Sequence, residues 1–150
     1  MHHLKIQLLE YCQTQVDLRF SRIKQMISNI EESLLEESKS SSGDKHETGR
    51  AMLQIERENT GKQLLEVEKV MQVLKKIDVD NVTDYARLGS LVLTDKFNYF
   101  ISLSLGNVKL NGKDYLCVAL NSPVGVLLSG KKKGEEFLLN ANVLKITEIF

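Results

Sequence analysis

A chain of 150 residues has room for one domain, or for one small domain carrying an elongated helical extension. Its 20 basic and 20 acidic side chains cancel, which excludes a global electrostatic pull toward nucleic acid or an anionic membrane. With 42% hydrophobic residues, one Pro and no Trp, the composition is that of an ordinary folded chain rather than a loop-rich scaffold.

Residues 4–38 contain no Gly or Pro and repeat apolar side chains at heptad spacing. One series is Ile6, Gln13, Phe20, Ile27 and Leu34; the other is Leu9, Val16, Ile23 and Ile30. The alternating steps of three and four predict a helix with a single seam, broken only at Gln13. At ~1.5 Å per residue it would be on the order of 50 Å long, and a compact domain of this size cannot bury such a stripe. A partner helix is required.

After Ser38-Lys39-Ser40-Ser41-Ser42-Gly43, a second helix is predicted over residues 44–77, with Val67, Val70, Leu74 and Ile77 as a clear seam. Toward the break the seam thins to Met52, Leu53 and Ile55, followed by a polar run that contains Gly61. Matched lengths and a short connection favour an antiparallel coiled-coil hairpin within one chain over pairing between chains. Its base is expected to be firmer than its tip.

Beyond Asp78 the period changes to that of short strands, predicted at 90–94, 98–105, 115–120, 136–139 and 143–149. The turn signals are Asp95-Lys96, Gly106-Asn107, Asn111-Gly112 and Gly134; Asn-Gly is the strongest hairpin signal among them. Ser122 as N-cap with Pro123 at the first helical position predicts one short helix. The expected fold is therefore α+β. A helical hairpin occupies residues 1–80 with an acidic tip near 43–47, and a small antiparallel-sheet domain with one short helix occupies 81–150.

Cys12 and Cys117 belong to no CxxC or Cys/His cluster, so neither a disulfide framework nor a zinc site is expected. No secretory pattern opens the chain and no apolar run approaches the ~20 residues of a membrane helix, so a reduced, cytoplasmic protein without membrane contact is expected. Three consecutive lysines, Lys131, Lys132 and Lys133, lack a Gly-rich phosphate loop and read as a tight turn.

The chemistry concentrates at Gly43-Asp44-Lys45-His46-Glu47. Asp44 and Glu47 share one helix face. They can act as a capping box for the helix start, or as paired oxygen ligands for a divalent cation. Glu31, Glu32, Glu36 and Glu37 make the same end of the hairpin acidic.

The long hairpin with Gly43-Asp44-x-x-Glu47 at its tip resembles the amino-terminal domain of the bacterial Gre-type transcript-cleavage factors. The run Asn121-Ser122-Pro123-Val124-Gly125, through Leu127-Leu128, Gly130-Lys131-Lys132 and Gly134-Glu135, resembles their FKBP-like carboxyl-terminal domain. In the family the acidic motif continues Asn-Ala-Glu-Tyr, whereas here Thr48-Gly49-Arg50-Ala51 follow, so Arg50 stands at the third acidic position.

The resemblance implies a transcription elongation factor that is not itself an enzyme. It would enter the secondary channel of core RNA polymerase and stimulate the polymerase's own cleavage of backtracked RNA. Asp44 and Glu47 would position Mg2+ shared with the polymerase, with no cofactor of the protein's own. Lys45, His46 and Arg50 would contact RNA or the channel wall, and Ser122, Pro123 and Gly125 the polymerase. The RNA 3′ end would be touched only indirectly, with no specific DNA binding. Two other readings stay open: a channel-binding regulator without cleavage activity, and a coiled-coil assembly module. An isomerase activity is not licensed by an FKBP-like fold alone.

Overall fold

A computed structural model describes residues 1–39 and 43–150, and for residues 43–46 the backbone alone. It is an α+β protein with two long helices, α1 (His2–Lys39) and α2 (Gly43–Lys75), ahead of a six-stranded sheet and a short helix. The turn expected between the helices falls on residues 40–42, outside the described residues, and Gly43 opens α2. No helix among the described residues is long and apolar enough to cross a membrane. Two compact units divide the chain: residues 15–71, and residues 1–14 together with 72–150.

In the first of these units α1 and α2 run antiparallel. Arg57 pairs with Glu31 at 3.3 Å, while Arg50 donates to the carbonyl of Leu34 at 3.4 Å, so partner numbers rise along α1 as they fall along α2. Ile23, Ile27 and Ile30 are buried, as the heptad reading expects. On α2 the least exposed positions run Leu53, Arg57, Thr60, Leu64, Val67, in steps of four and three, with Thr60 and Val67 buried and the other three half-buried. Met52 and Ile55 are exposed instead of continuing the seam. The polar stretch is thus part of the interface: Thr60 is buried and satisfies its hydroxyl on the Glu56 carbonyl at 2.8 Å.

The stripe also shifts along α1. Its buried positions near the start are Lys5, Leu8, Cys12 and Val16, whereas Ile6 and Leu9 are half-buried and Gln13 is exposed. Steps of four from Leu8 through Cys12 and Val16 to half-buried Phe20 act as a stutter, a local unwinding that re-phases the heptads. Gln13 is no defect in the seam. It lies off it.

In the second unit the strands are β1 (Leu91–Thr94), β2 (Asn98–Ser102), β3 (Gly106–Leu110), β4 (Lys113–Ala119), β5 (Glu136–Leu139) and β6 (Asn142–Ile149), in sheet order β3-β4-β2-β1-β6-β5. Two expectations are corrected. Gly106-Asn107 is not a turn: Gly106, at φ 75°, opens β3 and pairs with Cys117. The sheet is also not antiparallel throughout, because β2 and β4 pair in parallel. The Asn111-Gly112 hairpin sends β3 to the sheet edge and inserts β4 beside β2, which forces that parallel pairing.

Both faces of the sheet centre are buried. Tyr99 and Ile101 of β2 join Val92, Leu144, Ile146 and Phe137 in a core with Leu128 of the short helix α3 (Pro123–Leu128). Phe100 and Ser102 point to the opposite face and are fully buried there. The start of α1 reaches that face, where the Cys12 thiol donates to Ser102 Oγ at 3.7 Å.

Candidate functional site

The sequence-predicted residues fall into two sets, one in each unit. At the far end of the helix pair, α2 begins at Gly43, so backbone positions 44 and 47 lie three apart in its first turns, and such positions are surface neighbours. The side chains of Asp44, Lys45 and His46 lie outside the described residues. Glu47 is exposed.

Arg50 is engaged with the other helix. Its guanidinium donates to the Leu34 carbonyl at 3.4 Å and to Ser38 Oγ, and Ser38 Oγ itself donates to Leu34 at 2.9 Å. An arginine near the carboxyl end of a helix offsets the negative end of its dipole. Arg57 does a similar service for Glu31. The glutamates that crowd the end of α1 are therefore partly balanced by two arginines from α2. The Glu37 carboxylate lies over Gly49, where a Cβ would sit 3.3 Å from its Oε1.

The donor chemistry limits what this end can hold. Two carboxylates fill at most part of the six-oxygen shell that Mg2+ demands. Among the described residues no three His, Cys, Asp or Glu side chains converge on a common point.

The second set caps α3. Ser122 Oγ accepts from the Gly125 amide at 3.1 Å and donates to the Ala119 carbonyl at 2.6 Å, with Pro123 following in the first turn. This is the local arrangement the residue order predicts. Gly125 is buried, and a Cβ there would sit 2.0 Å from the Ala119 oxygen. Ser122 and Gly125 thus join α3 to the end of β4, and Pro123 and Val126 provide the exposed surface beside them.

The lysine turn is neutralised locally. Lys132 pairs with Asp84 at 3.5 Å and Lys133 with Glu148 at 2.6 Å, while the Lys131 carbonyl accepts from the Ala86 amide at 2.7 Å. The aromatic residues of this unit are largely structural. Tyr99 and Phe137 belong to the core, where burial pushes the Tyr99 phenol upward in pKa. Phe97 and Tyr85 remain exposed, Phe97 edge-on to Tyr99 at 6.3 Å between ring centres.

What residue order could not reveal is the contact between Cys12 and Cys117. Both are free and buried. A hydrogen bond from Cys117 holds the Cys12 thiol below its ordinary pKa against the effect of burial, and the same bond together with burial pushes Cys117 upward. No short motif signals this, because the two residues meet only across the fold. The chain matches no protein-family model and no characterised relative.

Proposed function

We propose that this protein is a secondary-channel factor of RNA polymerase that stimulates cleavage of backtracked RNA. The support is the placement of Glu47, exposed and one helical turn from position 44, at the far end of two antiparallel helices. In this reading α1 and α2 form a coiled-coil hairpin over residues 1–80, and residues 81–150 form an FKBP-like domain that grips the channel rim through the surface around Ser122, Pro123 and Gly125. The protein works in the cytoplasm and has no active site of its own.

Asp44 and Glu47 would hold a weakly bound Mg2+ jointly with the polymerase. When bound, such an ion polarises the scissile phosphate and lowers the pKa of the attacking water. The carboxylates contribute charge and orientation. Lys45 and His46 stand where RNA or the channel wall would be met. The assay is cleavage of a stalled elongation complex, after confirming that the protein binds core polymerase. Asp44→Asn with Glu47→Gln should leave folding and binding intact and abolish stimulation. Stimulation that survives the double change would exclude a carboxylate clamp.

Arg50 favours a second reading, in which the protein occupies the channel without promoting cleavage. Its guanidinium is bound to the end of α1, where the family resemblance would put a third carboxylate. A wild-type protein that binds polymerase, competes with other channel ligands and leaves stalled RNA uncut would establish it. Failure to bind polymerase at all would leave the assembly-module reading.

A further inference from the structure

Cys12 and Cys117 come from opposite ends of the chain and share one buried spot. Cys12 lies in the third turn of α1 and is fully buried; Cys117 is central in β4 and 1% exposed. Their common neighbour is Ser102, whose Oγ accepts from Cys12 Sγ at 3.7 Å. The parallel register explains why Cys117 is there as well. Phe100 pairs with Cys117 and Ser102 with Ala119, so Phe100, Ser102 and Cys117 project from the same face of the sheet. That is the face α1 reaches through Cys12.

We propose that Cys12 and Cys117 are a disulfide-forming pair that covalently staples the start of α1 to β4 when the protein equilibrates with a low-molecular-weight disulfide. Cys12 is the attacking group, since opening of the first turns of α1 uncovers it while Cys117 stays inside the sheet, in the interior strand β4. The Cys12 thiolate attacks one sulfur of glutathione disulfide, and the S–S bond breaks to release one glutathione thiolate. Cys117 then loses its proton and attacks the Cys12 sulfur of the mixed disulfide, expelling the second glutathione. Two protein thiols are oxidised, one glutathione disulfide is reduced to two glutathiones, and the protons pass to the departing thiolates.

Burial sets the tempo. Neither sulfur is open to solvent, so exchange waits on opening of the first turns of α1 and equilibrates over minutes to hours. The crosslink closes a loop of roughly 100 residues that includes the helix pair, which removes much of the unfolded chain's freedom. The oxidised protein should therefore melt on the order of 10 °C higher than the reduced one.

The experiment equilibrates the full chain in glutathione buffers of graded ratio, both native and in concentrated guanidinium, then quenches with acid and alkylates. The native protein is expected to lose two hydrogen atoms by intact mass, stay monomeric, and yield one linked peptide pair joining Cys12 to Cys117. Half-oxidation should need about 100-fold less glutathione disulfide than the denatured chain needs. Dithiothreitol should reverse both the mass change and the rise in melting temperature. Cys12→Ser and Cys117→Ser should each abolish the change, and the wild-type result stands alone if either variant misfolds. Retained glutathione on one cysteine, crosslinked dimers, or thiols no easier to oxidise folded than unfolded would each overturn the proposal.

Discussion

A Cβ on Gly125 would lie 2.0 Å from the carbonyl oxygen of Ala119, closer than any atoms can pack. The same carbonyl already accepts the Ser122 hydroxyl at 2.6 Å, so it cannot move aside without breaking the cap of α3. Gly125→Ala should therefore destabilise by about 3 kcal/mol, the upper range for overpacking. Ser122→Ala, which loses one cap, should cost about 1 kcal/mol. Urea unfolding of the two variants checks the order, and equal losses would show that β4 yields easily.

Ala141 occupies left-handed backbone at φ 65°, beside Asn140 at φ 49°, in the hairpin that joins Leu139 to Asn142. Alanine pays about 1 kcal/mol for that conformation and glycine does not. Ala141→Gly should stabilise by about 0.5 kcal/mol, after the loss from glycine's greater unfolded-state freedom. A lower melting temperature would contradict the turn geometry.

Lys5 is only 1% exposed, and burial, reinforced by repulsion from Arg87, holds its ammonium below the ordinary pKa. Asp78 and Asp80 pull the other way with smaller effect. Between the depressed native value and the ordinary value of 10.5, the unfolded chain binds the extra proton, so stability should rise with pH across that window. Lys5→Met should remove the slope and add about 1 kcal/mol near neutral pH. Denaturant titrations at neutral and alkaline pH measure both. A flat wild-type profile would mean that the two aspartates compensate fully.

Arg50 and Arg57 are surface groups, and solvent discounts them. Arg57→Ala should cost about 0.5 kcal/mol through the Glu31 pair. Arg50→Ala, which strips the Leu34 and Ser38 bonds, should cost about 1 kcal/mol. Losses above about 2 kcal/mol from either, in chemical unfolding, would show that the polar end carries more of the helix pairing than its exposure allows.

Protection along α2 should be graded. Val67 is fully buried, whereas Ile55 is 58% exposed. Amide exchange near Val67 should be slower than near Ile55 by about tenfold or more. Uniform exchange would mean that the whole helix opens as one unit.

Local rules made much of this protein legible from residue order. The two helices follow from seven-residue periodicity, carried in α1 by a run free of Gly and Pro and strong enough in α2 to tolerate Gly49 and Gly61, and Ile23, Ile27 and Ile30 are buried as that period requires. The Asn111-Gly112 turn and the Ser122-Pro123 helix start also need only adjacent residues, because positive φ and a cap are properties of a few bonds. The acidic positions 44 and 47 were marked by spacing, with no tertiary information.

Tertiary structure decided the rest. The stripe of α1 changes phase between Leu8 and Phe20 because its start meets the sheet, and a heptad count cannot foresee what a helix packs against. The strand at Gly106–Leu110 and the parallel pairing of β2 with β4 depend on which edge β4 chooses, a competition between distant strands. The meeting of Cys12 with Cys117 is of the same kind. Proximity across so much chain arises only when the entropy of closing the loop is met by burial on both faces of the sheet, and that balance belongs to the whole fold.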